Sequence, residues 1–230
     1  LPNWVPSALA AAPAGMIERN DYPEHWETMI GTLDGKIITP NEQFFVRSHF
    51  PVPRNDTHQL EIGGMVENPV TLTLSELGTL PRTDRPLVLE CAGNGRGLMK
   101  LPSTSGTQWG YGAVGNASWG GVLLSTLLRS AMTLPDAKYV WFEGADRSPR
   151  SATPTFTRSL PLEKAMADVI VCDTMNGSPL PTLHGGPLRL VVPGWYGMAW
   201  TKWLNKITLA AEPVANHFMN PGYRWVEPGG

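Results

Sequence analysis

One thiol sits where a strand should end. Pro86-Leu87-Val88-Leu89-Glu90 is an apolar run, Cys91 follows it, and Ala92-Gly93-Asn94-Gly95-Arg96-Gly97 turns the chain at once. A thiol is a nucleophile or soft-metal ligand only as the thiolate, which a cation such as Arg96 favours. Gly93, Gly95 and Gly97 let the backbone pass close to something bulky. The plainer reading is a small buried apolar residue beside a tight turn. Cys172, inside Val169-Ile170-Val171-Cys172-Asp173, reads as a core strand residue. Two cysteines leave room for one disulfide but make no framework. Neither begins a haem-attachment motif, because Cys91 leads into Ala-Gly-Asn and Cys172 into Asp-Thr-Met.

Other residues with chemistry stand at expected strand ends. Arg47 and His49 lie two apart in Phe44-Phe45-Val46-Arg47-Ser48-His49-Phe50, and so share a face if that run is extended. Asp146 follows the β-rich run 138–143. His184 lies in the loop Leu183-His184-Gly185-Gly186-Pro187, and Arg189 opens the apolar run after it. Lys202 lies in the segment 200–204. Taken singly, each has an ordinary explanation: an exposed strand face, a loop cap, a surface pair of Asp146 with Arg147 or Arg150. Brought together, they would make an electropositive pocket for an anion carrying phosphate and polar ring groups. Arginine forks suit oxyanions, and lysine supplies a point charge.

The elements that must position these residues are short. The chain has 230 residues, a formal net charge of -2, 42% hydrophobic and 17% charged residues. That balance makes a folded core and offers no electrostatic drive toward nucleic acid or an anionic membrane surface. Gly 24, Pro 22 and Trp 9 favour turns and short strands over a helical bundle. No apolar run reaches the length of a membrane span. The first fifteen residues lack the basic start of an intact signal peptide, as a mature exported form would. Residues 1–40 read as an irregular arm packed on a body formed by 41–230, with proline breakers and at most a short helix near 22–30. Runs 60–66 and 70–74 bracket Glu67-Asn68-Pro69 as a hairpin. Ser75 is expected to cap a short helix to residue 80. Residues 119–132 have helical apolar spacing. A short helix is expected near 160–167, with further strands at 138–143, 169–173, 188–192 and 207–211. The fold class is α+β, mixed and β-rich, with short helices.

Seven stretches together carry a resemblance: Phe45-Val46-Arg47-Ser48-His49-Phe50-Pro51-Val52-Pro53, Glu90-Cys91-Ala92-Gly93-Asn94-Gly95-Arg96, Gly106-Thr107-Gln108-Trp109, Phe142-Glu143-Gly144-Ala145-Asp146, Met175-Asn176-Gly177-Ser178-Pro179-Leu180-Pro181, His184-Gly185-Gly186-Pro187-Leu188-Arg189, and Val192-Pro193-Gly194-Trp195-Tyr196-Gly197-Met198 with Lys202-Trp203-Leu204. In this order the chain resembles the molybdopterin-binding domain of the sulfite oxidase family, which includes plant nitrate reductases. The resemblance implies that family's fold and a molybdenum cofactor held by molybdopterin. It makes Cys91 the thiolate ligand of the metal, a role that suits a soft sulfur. It assigns Phe45, Val46, Arg47, Ser48, His49, Asp146, His184, Arg189, Trp200, Thr201 and Lys202 to cofactor contacts. It makes Arg47 and Arg96 the cations that attract sulfite, and Tyr223 a hydrogen-bonding partner near the metal.

The sequence also departs from the family. Ser48 stands where many relatives have Asn, and Gly95 where animal enzymes often have a second arginine. The immunoglobulin-like dimerisation domain that usually follows, and supplies another pocket arginine, is absent from these residues. The implied activity is oxidation of sulfite, or a related small oxyanion, with electrons passing to a c-type cytochrome or other external acceptor in the periplasm. Two alternatives are a molybdopterin S-oxide reductase, acting on methionine sulfoxide for example, and a non-catalytic module that binds an anion or a partner.

Overall fold

Alternation sets the strands. In Tyr139–Gly144 the even positions Val140, Phe142 and Gly144 are buried and the odd ones half-buried, as one covered face requires. The computed structural model describes residues 12–53, 58–99, 105–150 and 152–220. The order begins with β1 (Met16–Asp21) and β2 (Glu24–Thr28), then β3 (Gln59–Gly64), β4 (Val70–Thr73), helix α1 (Leu74–Gly78) and β5 (Arg82–Glu90). It continues with β6 (Val114–Leu123), α2 (Leu124–Ser130), β7 (Tyr139–Gly144), β8 (Thr157–Pro161) and α3 (Leu162–Ala167). The last strands are β9 (Ile170–Met175), β10 (Ser178–Pro179), β11 (Arg189–Val191) and β12 (Leu204–Ala210).

The strands form a two-stranded hairpin and two larger sheets. One sheet runs β10-β9-β6-β5, with β11 also paired to β9, and the other runs β4-β3-β12-β7-β8. Only the β12–β3 pair is parallel among the described pairings; the rest are antiparallel. The sheets bury their apolar faces in a shared core: Leu60, Ile62, Phe142 and Ile207 come from the second sheet, and Val122, Val171 and Leu190 from the first. A smaller cluster of Met16, Trp26 and Val46 packs the hairpin against the body.

Several elements differ from the sequence expectation, each for a physical reason. The arm up to residue 43 carries a hairpin, and 24–28 is a strand rather than a helix. Trp26 and Val46 exchange backbone hydrogen bonds of 3.0 and 2.9 Å, so this strand edge is taken by the chain itself. Residues 44–50 form no regular strand beyond that single bridge. Residues 119–123 end a strand, and the helix begins only at Leu124. Trp119 pairs with Arg85 on one side and Met175 on the other, and two ladders outweigh helical apolar spacing. Thr73, not Ser75, caps α1 in a capping box with Glu76. Residues 157–161 are strand, so α3 starts at Leu162.

Candidate active site

Strand β5 ends at Glu90 and delivers Cys91 to the floor of a cleft. The Cys91 amide donates to the Ala113 carbonyl at 2.9 Å, the last rung before the turn. Strands β7 and β12 run antiparallel, so the end of β7 lies beside the start of β12, with Gly144 opposite Leu204. That register brings Asp146, just beyond β7, to the same end as Lys202, just before β12. His184 closes a 3-10 turn and Arg189 opens β11. Phe45, Arg47, Ser48, His49, Cys91, Asp146, His184, Arg189, Trp200 and Lys202 all line this one cleft, with Phe156, Met198 and Trp203 among its walls. It encloses about 740 Å³ of empty space, counting its open mouth.

One charge in it, Arg189, is poorly compensated among the described residues. Arg189 is 4% exposed. Its Nη1 donates to the His184 carbonyl at 2.7 Å and an Nη2 proton to the Trp200 carbonyl at 3.3 Å. The guanidinium lies 4.9 Å from the Trp119 ring and 5.7 Å from the Trp200 ring. No carboxylate pairs with it among the described residues, and its Nε–H has no partner. Burial pulls its pKa down to about 10. Nearby, the buried Thr201 hydroxyl is also without a partner. Buried polar groups are nearly always satisfied, so this corner is short of an acceptor that the described residues do not supply.

Lys202 donates from Nζ to Ser48 Oγ at 2.6 Å and to the Leu183 carbonyl at 2.9 Å, above the Trp203 ring at 4.2 Å. Burial, with Arg189 close by, lowers its pKa to about 7. Burial raises Asp146 to about 6 against the pull of Lys202. Burial also disfavours the charged histidines, holding His184 at about 4 and His49 at about 2. His184 Nε2 lies 2.8 Å from the Asn41 carbonyl. A carbonyl only accepts, so Nε2 carries the proton and Nδ1 is an acceptor.

Three expected site residues are not in the cleft lining. Val46 is buried behind the cleft wall against Trp26, and Thr201 lies beside the lining rather than in it. Arg96 is not among the residues that line the cleft. Its Nη1 donates to the Thr107 carbonyl at 3.1 Å, and its guanidinium packs against Gly93, where a Cβ would collide with it. Tyr223 lies outside the described residues.

The hairpin supplies functional residues that sequence reasoning missed. Glu27 is 2% exposed and accepts from the Gly110 and Gly112 amides, each at 2.9 Å, and from Arg19 Nε at 2.7 Å. Burial alone would raise its pKa; those amides and Arg19 outweigh burial and lower it. The loop it grips pairs with the thiol loop, through Gly95 to Gly110 at 2.7 Å and Gly97 to Trp109 at 2.8 Å. A side chain at Gly112 would collide with the Thr28 carbonyl, so the grip depends on that glycine. A glutamate inside an arm rich in prolines carries no sequence signal of this role.

Among the described residues, no group of three or more His, Cys, Asp or Glu side chains is gathered for a metal ion. Residues 49–218 match the family model described as the oxidoreductase molybdopterin binding domain. The chain is 40% identical over 213 residues to the mitochondrial sulfite oxidase of Drosophila melanogaster, covering 90% of this chain and 37% of that protein. It is 33% identical over 220 residues to the sulfite oxidase of Arabidopsis thaliana, covering 90% of this chain and 56% of that one. Among solved structures, it is similar to the sulfane dehydrogenase SoxCD from Paracoccus pantotrophus, with a TM-score of 0.78 and 32% identity over 94% of this chain and 58% of the other. The chain thus spans less than two thirds of each of these relatives. It belongs to the oxidoreductase molybdopterin-binding domain family, whose cofactor is molybdenum carried by molybdopterin.

Proposed function

We propose that this chain is the cofactor-bearing part of an oxidoreductase that oxidises sulfite to sulfate and passes the electrons to a c-type cytochrome. The observation that carries the reading is Arg189, a buried cation without a carboxylate partner, in the cleft that Cys91 also lines. An anionic cofactor would satisfy it and the orphaned Thr201 hydroxyl. Cys91 would be the thiolate ligand of the metal. Arg189, Thr201, Lys202, His184 and Asp146 would hold the phosphate and the polar edge of the pterin. When bound, the molybdenum supplies oxygen-atom transfer and takes up the electron pair.

The rest falls to the chain. Arg47 and Lys202 make the cleft positive and lower the cost of bringing a sulfur oxyanion to an anionic centre. Phe45, Phe156, Trp200 and Trp203 exclude water, which raises the worth of each charge. Lys202, at about 7, can hold or release a proton at Nζ near neutral pH. Tyr223, as the resemblance implies, would orient the oxyanion. We place the protein in the periplasm on the same family grounds.

The structural likeness to a sulfane dehydrogenase favours a second reading, in which sulfane sulfur is the substrate. One experiment separates these. Protein from a cofactor-competent host is assayed for molybdenum content and for cytochrome c reduction with sulfite or with a sulfane donor. Methionine sulfoxide is offered as the oxidant with an artificial electron donor. Molybdenum with sulfite-dependent reduction is the expected result. Turnover of only the sulfane or only the sulfoxide would move the assignment to that substrate, and metal-free protein would leave a binding module.

A further inference from the structure

We propose that His25 is a positioning residue that ties the loop bearing Cys91 to the wall bearing Arg47, Ser48 and Lys202. The inference rests on the reading of the cleft as the cofactor site. His25 lies in β2, is 9% exposed, and does not line the cleft. Its Nε2 is 2.8 Å from the Ser48 carbonyl. That oxygen only accepts, so Nε2 carries the ring proton and Nδ1 is bare. Nδ1 is 2.7 Å from Thr107 Oγ1, so the Thr107 hydroxyl donates to it.

Both ends of this bridge reach the site. On one side, the Thr107 carbonyl accepts from Arg96 Nη1, and Arg96 closes the turn that follows Cys91. On the other, the Ser48 hydroxyl accepts from Lys202 Nζ. Arg96, Thr107, His25, Ser48 and Lys202 thus form one chain of contacts across five separate segments. A neutral imidazole with a fixed tautomer suits the task because it donates and accepts along one rigid line. Partners one step behind metal and cofactor contacts commonly control how well the group is held. Arg96 takes a place in this account that the sequence did not suggest: it braces the loop through Thr107.

The test has readouts besides turnover. In the full chain, nitrogen NMR of the imidazole should show the Nε2–H tautomer; the Nδ1–H tautomer would overturn the proposal. Thr107→Val removes the donor while keeping the shape, Thr107→Ser restores it, and His25→Leu removes both contacts. Thr107→Val should speed alkylation of Cys91 by iodoacetamide in cofactor-free protein, and should speed loss of molybdenum from loaded protein by about tenfold. Thr107→Ser should return both rates to the parent values. Parent-like rates in Thr107→Val would overturn the proposal, whether or not His25→Leu folds. Molybdenum in the parent protein is measured in parallel. A parent that never loads metal would refute the cofactor reading, whereas a loaded parent with an indifferent Thr107→Val would refute only the role of His25.

Discussion

The cleft has two kinds of wall. One is made of strand ends: Cys91 after β5, Asp146 after β7, Arg189 at the start of β11 and Lys202 before β12. The other stands behind that lining: the hairpin β1–β2 adds no residue to it and holds the loops through Glu27 and His25. Strand ends present side chains whose type announces their chemistry. The hairpin works through backbone amides and carbonyls, and any residue with the right donor in the right register would serve. The first wall sets what can bind, and the second sets how tightly the parts are held.

The largest effect should come from the first wall. Cys91→Ala is expected to abolish turnover while leaving circular dichroism and the denaturation midpoint near the parent values. Full activity would remove Cys91 as metal ligand and make both walls structural. Arg189→Met should separate binding from folding. Loaded protein should lose molybdenum about tenfold to a hundredfold faster. Cofactor-free protein should be unchanged or more stable by about 1 kcal/mol, since a buried charge without a carboxylate is costly. Destabilisation of the cofactor-free form would mean the guanidinium serves the fold.

The second wall should show the reverse pattern. Glu27→Gln is expected to cost about 2 kcal/mol or more in urea unfolding of the cofactor-free chain, because Arg19 and two glycine amides lose their charged partner. Because its folded pKa is lowered, Glu27 contributes stability above its unfolded pKa, and the contribution is lost as the pH falls through the folded value.

The last prediction is a slope with pH rather than the loss in one variant. His25 and His184 titrate at about 4 and His49 at about 2 in the folded chain, held low by burial, against 6.5 unfolded. Below about pH 6.5 the unfolded chain takes up protons that the folded chain refuses, so stability falls as the pH drops toward 4. Asp146, raised to about 6 by burial, works in the opposite sense and is outnumbered. Urea midpoints of cofactor-free protein should decline over that window, less steeply in His184→Gln. A flat profile would mean that the histidines are not held neutral.

Much of the first wall was legible because softness, charge and fork geometry belong to residue types. Cys91, Arg47, His184, Arg189 and Lys202 could be named before any fold was known, and they share one cleft. Arg96 shows where type alone stops: its type suits an oxyanion, but no residue type tells that its Nη1 donates to the Thr107 carbonyl. The hairpin was illegible because its bonds run between residues far apart in sequence, Glu27 to Gly110 and His25 to Thr107, and no local pattern encodes them. Residues 119–123 were misread because their apolar spacing fits a helix, while pairing on both strand edges decides otherwise.

The central claim is that the Cys91 sulfur holds the metal of the cofactor in this cleft. X-ray absorption at the molybdenum edge tests it most directly, on loaded parent protein and on loaded Cys91→Ser. The account predicts one sulfur fewer around the metal in the variant. An unchanged sulfur shell would contradict it.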